Sequence, residues 1–161
     1  MQQRLYRYSP RRWWQNFGFG IESKNDYAFL HDVIRERLPY YAYDELEHDF
    51  PCASRSSMRK AKLLFRLCNA AKGKRLTVVG SFSDVETAAI LKADGQTIIN
   101  EEPPKHFHDT DMLIINGINA VNSSTWHSVT SSRCITFDMV DTGIAIFDKN
   151  RYPEHYNILQ P

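Results

Sequence analysis

The spacing of apolar positions changes near the middle of the chain. From Asp26 to Leu38, Tyr27, Leu30, Ile34 and Leu38 recur near helical spacing. Asp26 suits the start of that helix and Pro39 stops it. Tyr40 to Glu47 follows, and Pro51 to Ser54 is a break. The clearest helix runs from Ser54 to Lys72. Met58, Ala61, Leu64, Phe65, Cys68 and Ala71 share one face, while Arg55, Arg59, Lys62 and Arg66 form a narrow stripe on another. Gly73 suits its C-terminal end. From Leu76 onward the apolar runs become short. Leu76–Val79, Gln96–Ile99, Met112–Ile115 and Cys134–Asp138 read as strands. Between them, Ser83 with Glu86 forms a capping-box signal for a helix that Asp94-Gly95 ends, and Ser123 or Ser124 starts a short helix through Val129. Gly143–Phe147 and Tyr156–Leu159 are expected to pair as a C-terminal antiparallel hairpin. Strands alternating with helices predict an α/β fold with a mainly parallel sheet.

Composition narrows this picture only slightly. The chain has 161 residues, 42% hydrophobic and 24% charged, which suits one globular unit. Residues 1–73 read as an arm and helical extension, and residues 74–161 as the α/β domain, the two forming one structural unit. No apolar run reaches membrane-spanning length and no signal peptide is expected. Cys52, Cys68 and Cys134 are odd in number and widely spaced, which fits reduced thiols in a cytoplasmic protein.

Charge adds more. The net charge of +1 conceals blocks of opposite sign. Residues 1–20 carry four arginines and no acid, residues 21–50 eight acids against three bases, and residues 51–83 eight bases and no acid. The remainder carries eleven acids against five bases. Such blocks suggest docking of the N-terminal segment on the rest of the chain, on a second subunit or on an anionic partner. Tyr6, Tyr8, Trp13, Trp14, Phe17 and Phe19 lie among those first arginines. They are expected to pack on the main domain or a symmetry mate. Stacking on single-stranded nucleic acid and docking at a membrane interface are the other uses of such a segment, and the neighbouring acidic block argues against a continuous nucleic-acid track.

Three segments carry a family resemblance. Tyr40-Tyr41-Ala42-Tyr43-Asp44-Glu45-Leu46-Glu47 is similar to an aromatic-Tyr-Ala-Tyr-Asp-Glu-Ile-Glu segment. Lys62 to Leu67 lies in the helix before the first strand. Ile135 to Asp138, with Gly143 to Asp148 after it, looks like a pair of closing strands. Together they resemble class I S-adenosylmethionine-dependent methyltransferases of a bacterial group with a helical N-terminal extension, over most of residues 15–160. The resemblance implies a Rossmann-like three-layer sandwich and an S-adenosylmethionine site lined by Gly80, Ser81, Phe82, Asp84, Glu101 and Asn116.

The departures from that family change what the resemblance implies. Its first-strand acid falls at Val78; its first glycine is kept as Gly80, and its second falls at Asp84. The ribose-binding acid falls near Asn100 or Glu101. The Asp-Gly-x-His turn stands here as Asn116-Gly117-Ile118-Asn119. Only eight residues, Pro103 to Thr110, separate Glu102 from Asp111. That is too few for the helix–strand–helix unit the family places there, so the sheet is expected to lack its third-strand unit. The exposed edge makes a homodimer or protein partner expected, through the arm, the basic helix or the edge. His106, His108, Asp109 and Asp111 are a weak metal pattern, and no metal is expected. The functional expectation is a degenerate, non-catalytic methyltransferase-like binding or assembly module. An active methyltransferase on an unknown acceptor and a nucleic-acid-associated protein are the alternatives. Asp138, Asp141 and Asp148 near strand ends read as an acidic rim, and with neither a base nor a cofactor pocket beside them no catalytic residue is assigned.

Overall fold

The computed structural model describes residues 10–71, 75–93, 97–104, 106–109 and 111–161. Tyr6, Tyr8, Lys72, Gly73, Asp94-Gly95, Gln96 and Thr110, named above, lie outside the described residues, as do Arg4 and Arg7 among the first four arginines. The chain forms a six-stranded mixed sheet with helices on both faces. The helices are α1 (Pro10–Gln15), α2 (Lys24–Phe29), α3 (Tyr41–Asp49), α4 (Arg55–Ala70), α5 (Asp84–Ala93) and α6 (Ser123–Thr130). The strands are β1 (Leu76–Val79), β2 (Ile98–Asn100), β3 (Met112–Asn116), β4 (Ile135–Asp138), β5 (Thr142–Ile146) and β6 (Glu154–Asn157). Their order across the sheet is β2-β1-β3-β5-β4-β6, and only β5 runs against the rest.

The expected hairpin between residues 143–147 and 156–159 is therefore corrected. Strand β5 pairs antiparallel with β3 and β4, and β6 pairs parallel with β4. Burial explains the choice. All five residues of β5 are buried, so it needs a neighbour on each side and cover on each face. Glu154 and His155 of β6 are exposed, which suits an edge. Only Met139, Val140 and Asp141 separate β4 from β5, so these two strands form the hairpin instead.

Side-chain alternation divides the core between the two faces. Val78, Met112, Ile114, Phe137, Ile144 and Ile146 face the larger cluster, with Leu30, Leu46, Leu64 and Ile90 from the helices. Val79, Leu113, Ile115, Ala145 and Phe147 face a smaller one, covered by Trp126 and Val129 of α6. The larger cluster draws on residues before and after 73, so the extension and the sheet share one core. Gly143 shows how closely the second face is packed, because a Cβ there would lie 2.6 Å from the Trp126 ring. Between β2 and β3, the described residues form neither helix nor strand. Phe107 from this link stacks on Phe147 with centroids 4.2 Å apart, covering the sheet where a helix would otherwise lie.

Two helices follow their sequence signals closely. The Ser57 N–H donates to Ser54 Oγ at 3.0 Å and starts α4. The Ser83 N–H donates to the buried Glu86 carboxylate at 3.1 Å, which is half of the capping box at α5. The helix expected over 26–38 differs. Ser23 caps it, and after Phe29 it widens into a π-helical turn, Leu30–Ile34, with Arg35 N–H bonded to Leu30 O. It ends before Leu38, which is exposed.

Candidate functional site

Strands β1 and β3 are parallel neighbours, and their carboxyl ends place Gly80 beside Asn116. In open α/β sheets this end is where ligands bind. Gly80 has φ +114°, a backbone that favours glycine. A Cβ on it would meet Asn116 O at 3.0 Å, Asn116 Cβ at 3.1 Å and Asn122 Nδ2 at 3.1 Å. The space over the turn is thus occupied by asparagine side chains. Asn116 Nδ2 donates to Ser81 O, and Asn122 Nδ2 donates to Asn116 O at 2.6 Å.

Lys60 of α4 joins this cluster from the other side. Its ammonium donates to Asn116 Oδ1 and to Asp141 Oδ2, the latter at 2.7 Å. The lysine is buried, while the Asp141 side chain keeps partial access to water. Asp141 sits on the β4–β5 turn, where its N–H bonds Met139 O at 3.0 Å across Val140 at φ +77°. That is a γ-turn of the rare, strained hand, on a β-branched residue. The Asp141 carbonyl accepts from Gly117 N–H at 2.8 Å and Ile118 N–H at 3.1 Å. The strained turn is therefore tied to the loop after β3, and the Asp141 carboxylate is left to face Lys60.

Beside this cluster lies a cleft of about 470 Å³, lined by Ser56, Ser57, Lys60, Glu86, Asp141 and Gln160 among others. None of the six residues expected at the site lines it. Gly80, Ser81 and Asn116 come together, but in mutual contact. Phe82 is half-buried against the larger core cluster. Asp84 is exposed in the first turn of α5 and borders a separate hollow with Phe50, Pro51 and Cys52. Glu101 is exposed just beyond β2. Lys60 escaped the sequence reading, although one signal for it was present. It lies four residues before Leu64 and so shares the inward face of α4. Asp141 stood out only as part of an acidic rim near the strand ends, and nothing local pairs it with Lys60.

The other polar constellations are engaged in ion pairs. Asp111 accepts from Arg75 Nη2 at 2.6 Å and Nε at 3.1 Å, and Asp109 pairs with Lys149 at 2.7 Å. The Lys149 hydrogen bond holds the Asp109 carboxyl below its usual range. Among the described residues, no group of three or more histidine, cysteine or acidic side chains is placed to hold a metal. Cys68 and Cys134 are buried and Cys52 is exposed. Burial pushes the Cys134 thiol up. No described helix is long and apolar enough to cross a membrane.

The N-terminal segment corrects a second expectation. Helix α1 buries Arg12 and Gln15 and exposes Arg11 and its two tryptophans. Arg12 is 1% exposed, and donates to Asp138 O at 2.9 Å, Ile158 O at 3.0 Å and Asp138 Oδ1 at 2.8 Å. Gln15 Oε1 accepts from Asn157 N–H of the edge strand β6 at 2.8 Å. Asp26 of α2 is buried too, accepting from Arg151 and from the Tyr156 hydroxyl, the latter at 3.1 Å. Burial, with Asp26 beside it, pushes the Tyr156 hydroxyl well above its ordinary pKa. These polar anchors dock the segment on the sheet edge. Trp13, Trp14, Phe17 and Phe19 stay 45–60% exposed, instead of packing on the main domain. The expected basic stripe on α4 is also altered, because Arg66 is buried and donates to Val33 O at 2.8 Å and Ile34 O at 2.9 Å. Set against known proteins, the chain matches no family model, no curated protein and no solved structure.

Proposed function

We propose that this chain is a methyltransferase-like α/β protein whose cofactor position is closed by its own side chains, and that it works as a binding or assembly module without catalysing methyl transfer. The bridge from Lys60 through Asn116 to Ser81 O carries this proposal. A ligand approaching the β1 turn would have to displace Asn116 and Asn122 from the α-carbon of Gly80. The same move would strip the buried Lys60 ammonium of one of its two partners, and a buried polar group left unpaired is costly. The residues here do not fit S-adenosylmethionine at the position the resemblance implies. Val78 supplies no carboxylate, and Asn116 and Asn122 crowd the turn at Gly80.

Titration calorimetry with S-adenosylmethionine tests this directly. The expected result is no saturable heat and no rise in melting temperature at about a hundredfold excess over a micromolar dissociation constant. Saturable binding in the micromolar range would overturn the proposal and favour a working methyltransferase.

A further inference from the structure

We propose that the aromatic ledge formed by Trp13, Trp14, Phe17 and Phe19, together with the cationic pocket beside it, is a docking surface for single-stranded nucleic acid. This names a partner for the binding module. It is built from residues outside the cleft, so it stands or falls separately from the cofactor question.

The first support is the inversion of α1. Trp13 and Trp14 meet edge to face at 5.0 Å, Trp13 and Phe17 at 5.1 Å, and Trp14 and Phe19 at 5.2 Å. The rings form one cluster in which each is about half exposed. The backbone beneath them is fixed. Phe17 N–H bonds Trp14 O at 3.1 Å, Gly18 N–H bonds Gln15 O at 2.9 Å, and Ile21 N–H bonds Gly18 O at 3.2 Å. Arg12 and Gln15 hold the opposite side. A rigid, half-exposed ring cluster loses little entropy when a planar group stacks on it.

The second support is charge. Arg35 lies 4.9 Å over the Phe17 ring and donates to Asn16 O, so it belongs to the ledge. It also lines a pocket of about 230 Å³ with Arg37, Arg59, Lys62 and Arg66. Glu36 is the acid among the lining residues, and it accepts from Tyr40 at 2.6 Å. Lys62 is paired with Glu47, and Arg66 is taken up by backbone carbonyls. Arg37 and Arg59 have no carboxylate partner among the described residues. Burial first, and Arg37 second, lower the pKa of Arg35. Cations crowded in this way are relieved by an anion, and guanidinium groups match phosphate oxygens in pairs.

The acidic block beside this segment in sequence reaches the pocket through Glu36, which lines it, and Glu47, which pairs with Lys62. Glu45 and Asp49 turn to Lys92 of α5, at 2.6 and 3.7 Å. Phosphate-seeking cations next to half-exposed rings match a strand with phosphates on one side and bases on the other. A bilayer would meet the ledge, but the cations sit in a concave pocket that a flat surface does not enter.

Fluorescence anisotropy of the full chain with a labelled single strand of about 15 nucleotides tests this. Affinity should fall about tenfold or more between about 50 and about 200 mM salt. The double variant Arg37→Glu/Arg59→Glu and the double variant Trp13→Ala/Trp14→Ala should each lose about tenfold. Their circular-dichroism melting curves should match the parent, because all four side chains are exposed. Absence of binding at low salt would overturn the proposal. So would equal affinity for a duplex of the same length, or binding only to phosphatidylserine vesicles. Lys60→Ala should leave strand binding unchanged, which separates this surface from the cleft.

Discussion

The carboxyl end of the sheet and the N-terminal segment treat polar groups in opposite ways. At the sheet end, Lys60, Asn116, Asn122, Ser81 and Asp141 satisfy one another, in the place where an α/β fold usually receives a ligand. At the N-terminal segment, Arg12, Gln15 and Asp26 are spent on anchoring. The rings and the cations beside them face outward. A region that has closed on itself has little left to offer a partner. A region held by its polar side presents its apolar side to whatever binds. The contrast is the ground for proposing that binding lies away from the cleft that the fold alone would suggest.

Removing the anchor should break the contrast most strongly. Arg12→Ala would strip the Ile158 carbonyl of this donor and leave the Asp138 carbonyl and carboxylate with only the N–H groups of Ile158 and Val140. Losing one partner of a buried ion pair costs about 3–5 kcal/mol. Urea denaturation should show that loss, together with increased proteolysis of α1. An unchanged midpoint would mean that the aromatic ledge is held by something other than its polar anchors.

The closed region should respond less. Lys60→Ala removes one partner from Asn116 and from Asp141, and the water access of Asp141 tempers the effect to about 1–2 kcal/mol in urea denaturation. Gly80→Ala should cost about 1–2 kcal/mol through positive φ and contact with Asn116. If Gly80→Ala is neutral, the asparagines do not crowd the turn, and the two regions are less different than described.

Alkaline pH probes the anchor at Asp26. An unfolded tyrosine loses its proton near about pH 10. The folded protein holds the Tyr156 proton longer, because of burial and Asp26, so the unfolded state is favoured as pH rises from there. Tyr40, raised to about 12 chiefly by its hydrogen bond to Glu36, acts in the same direction. Melting temperature should therefore begin to fall above about pH 10, less steeply in Tyr156→Phe. The smallest effect is expected at the ledge. Trp13→Ser should change stability by no more than about 0.5 kcal/mol, as exposed positions do. A loss of several times that would make the rings structural.

Much of the fold was legible because its causes are local. Ser54 with the apolar face of α4, Ser83 with Glu86, and the short runs at Leu76, Met112 and Ile135 each carry their own structural instruction. The order of strands is not local. The sequence marked residues 143–147 and 156–159 as strands, but only the competition for central positions placed β5 between β3 and β4 and sent β6 to the edge. The site divides along the same line. Sequence found Gly80 and Asn116, because a glycine turn and a strand end are local features. It missed Lys60 as the partner of Asp141, because that pairing arises from a strained turn brought against α4 across eighty-one positions of chain. It also reversed α1, because the rule that aromatic residues go inside holds only when no better partner competes for the contact. The Ile158 carbonyl and the Asp138 carboxylate and carbonyl offered a guanidinium three acceptors in one place, and Arg12 took them, leaving the tryptophans half in water.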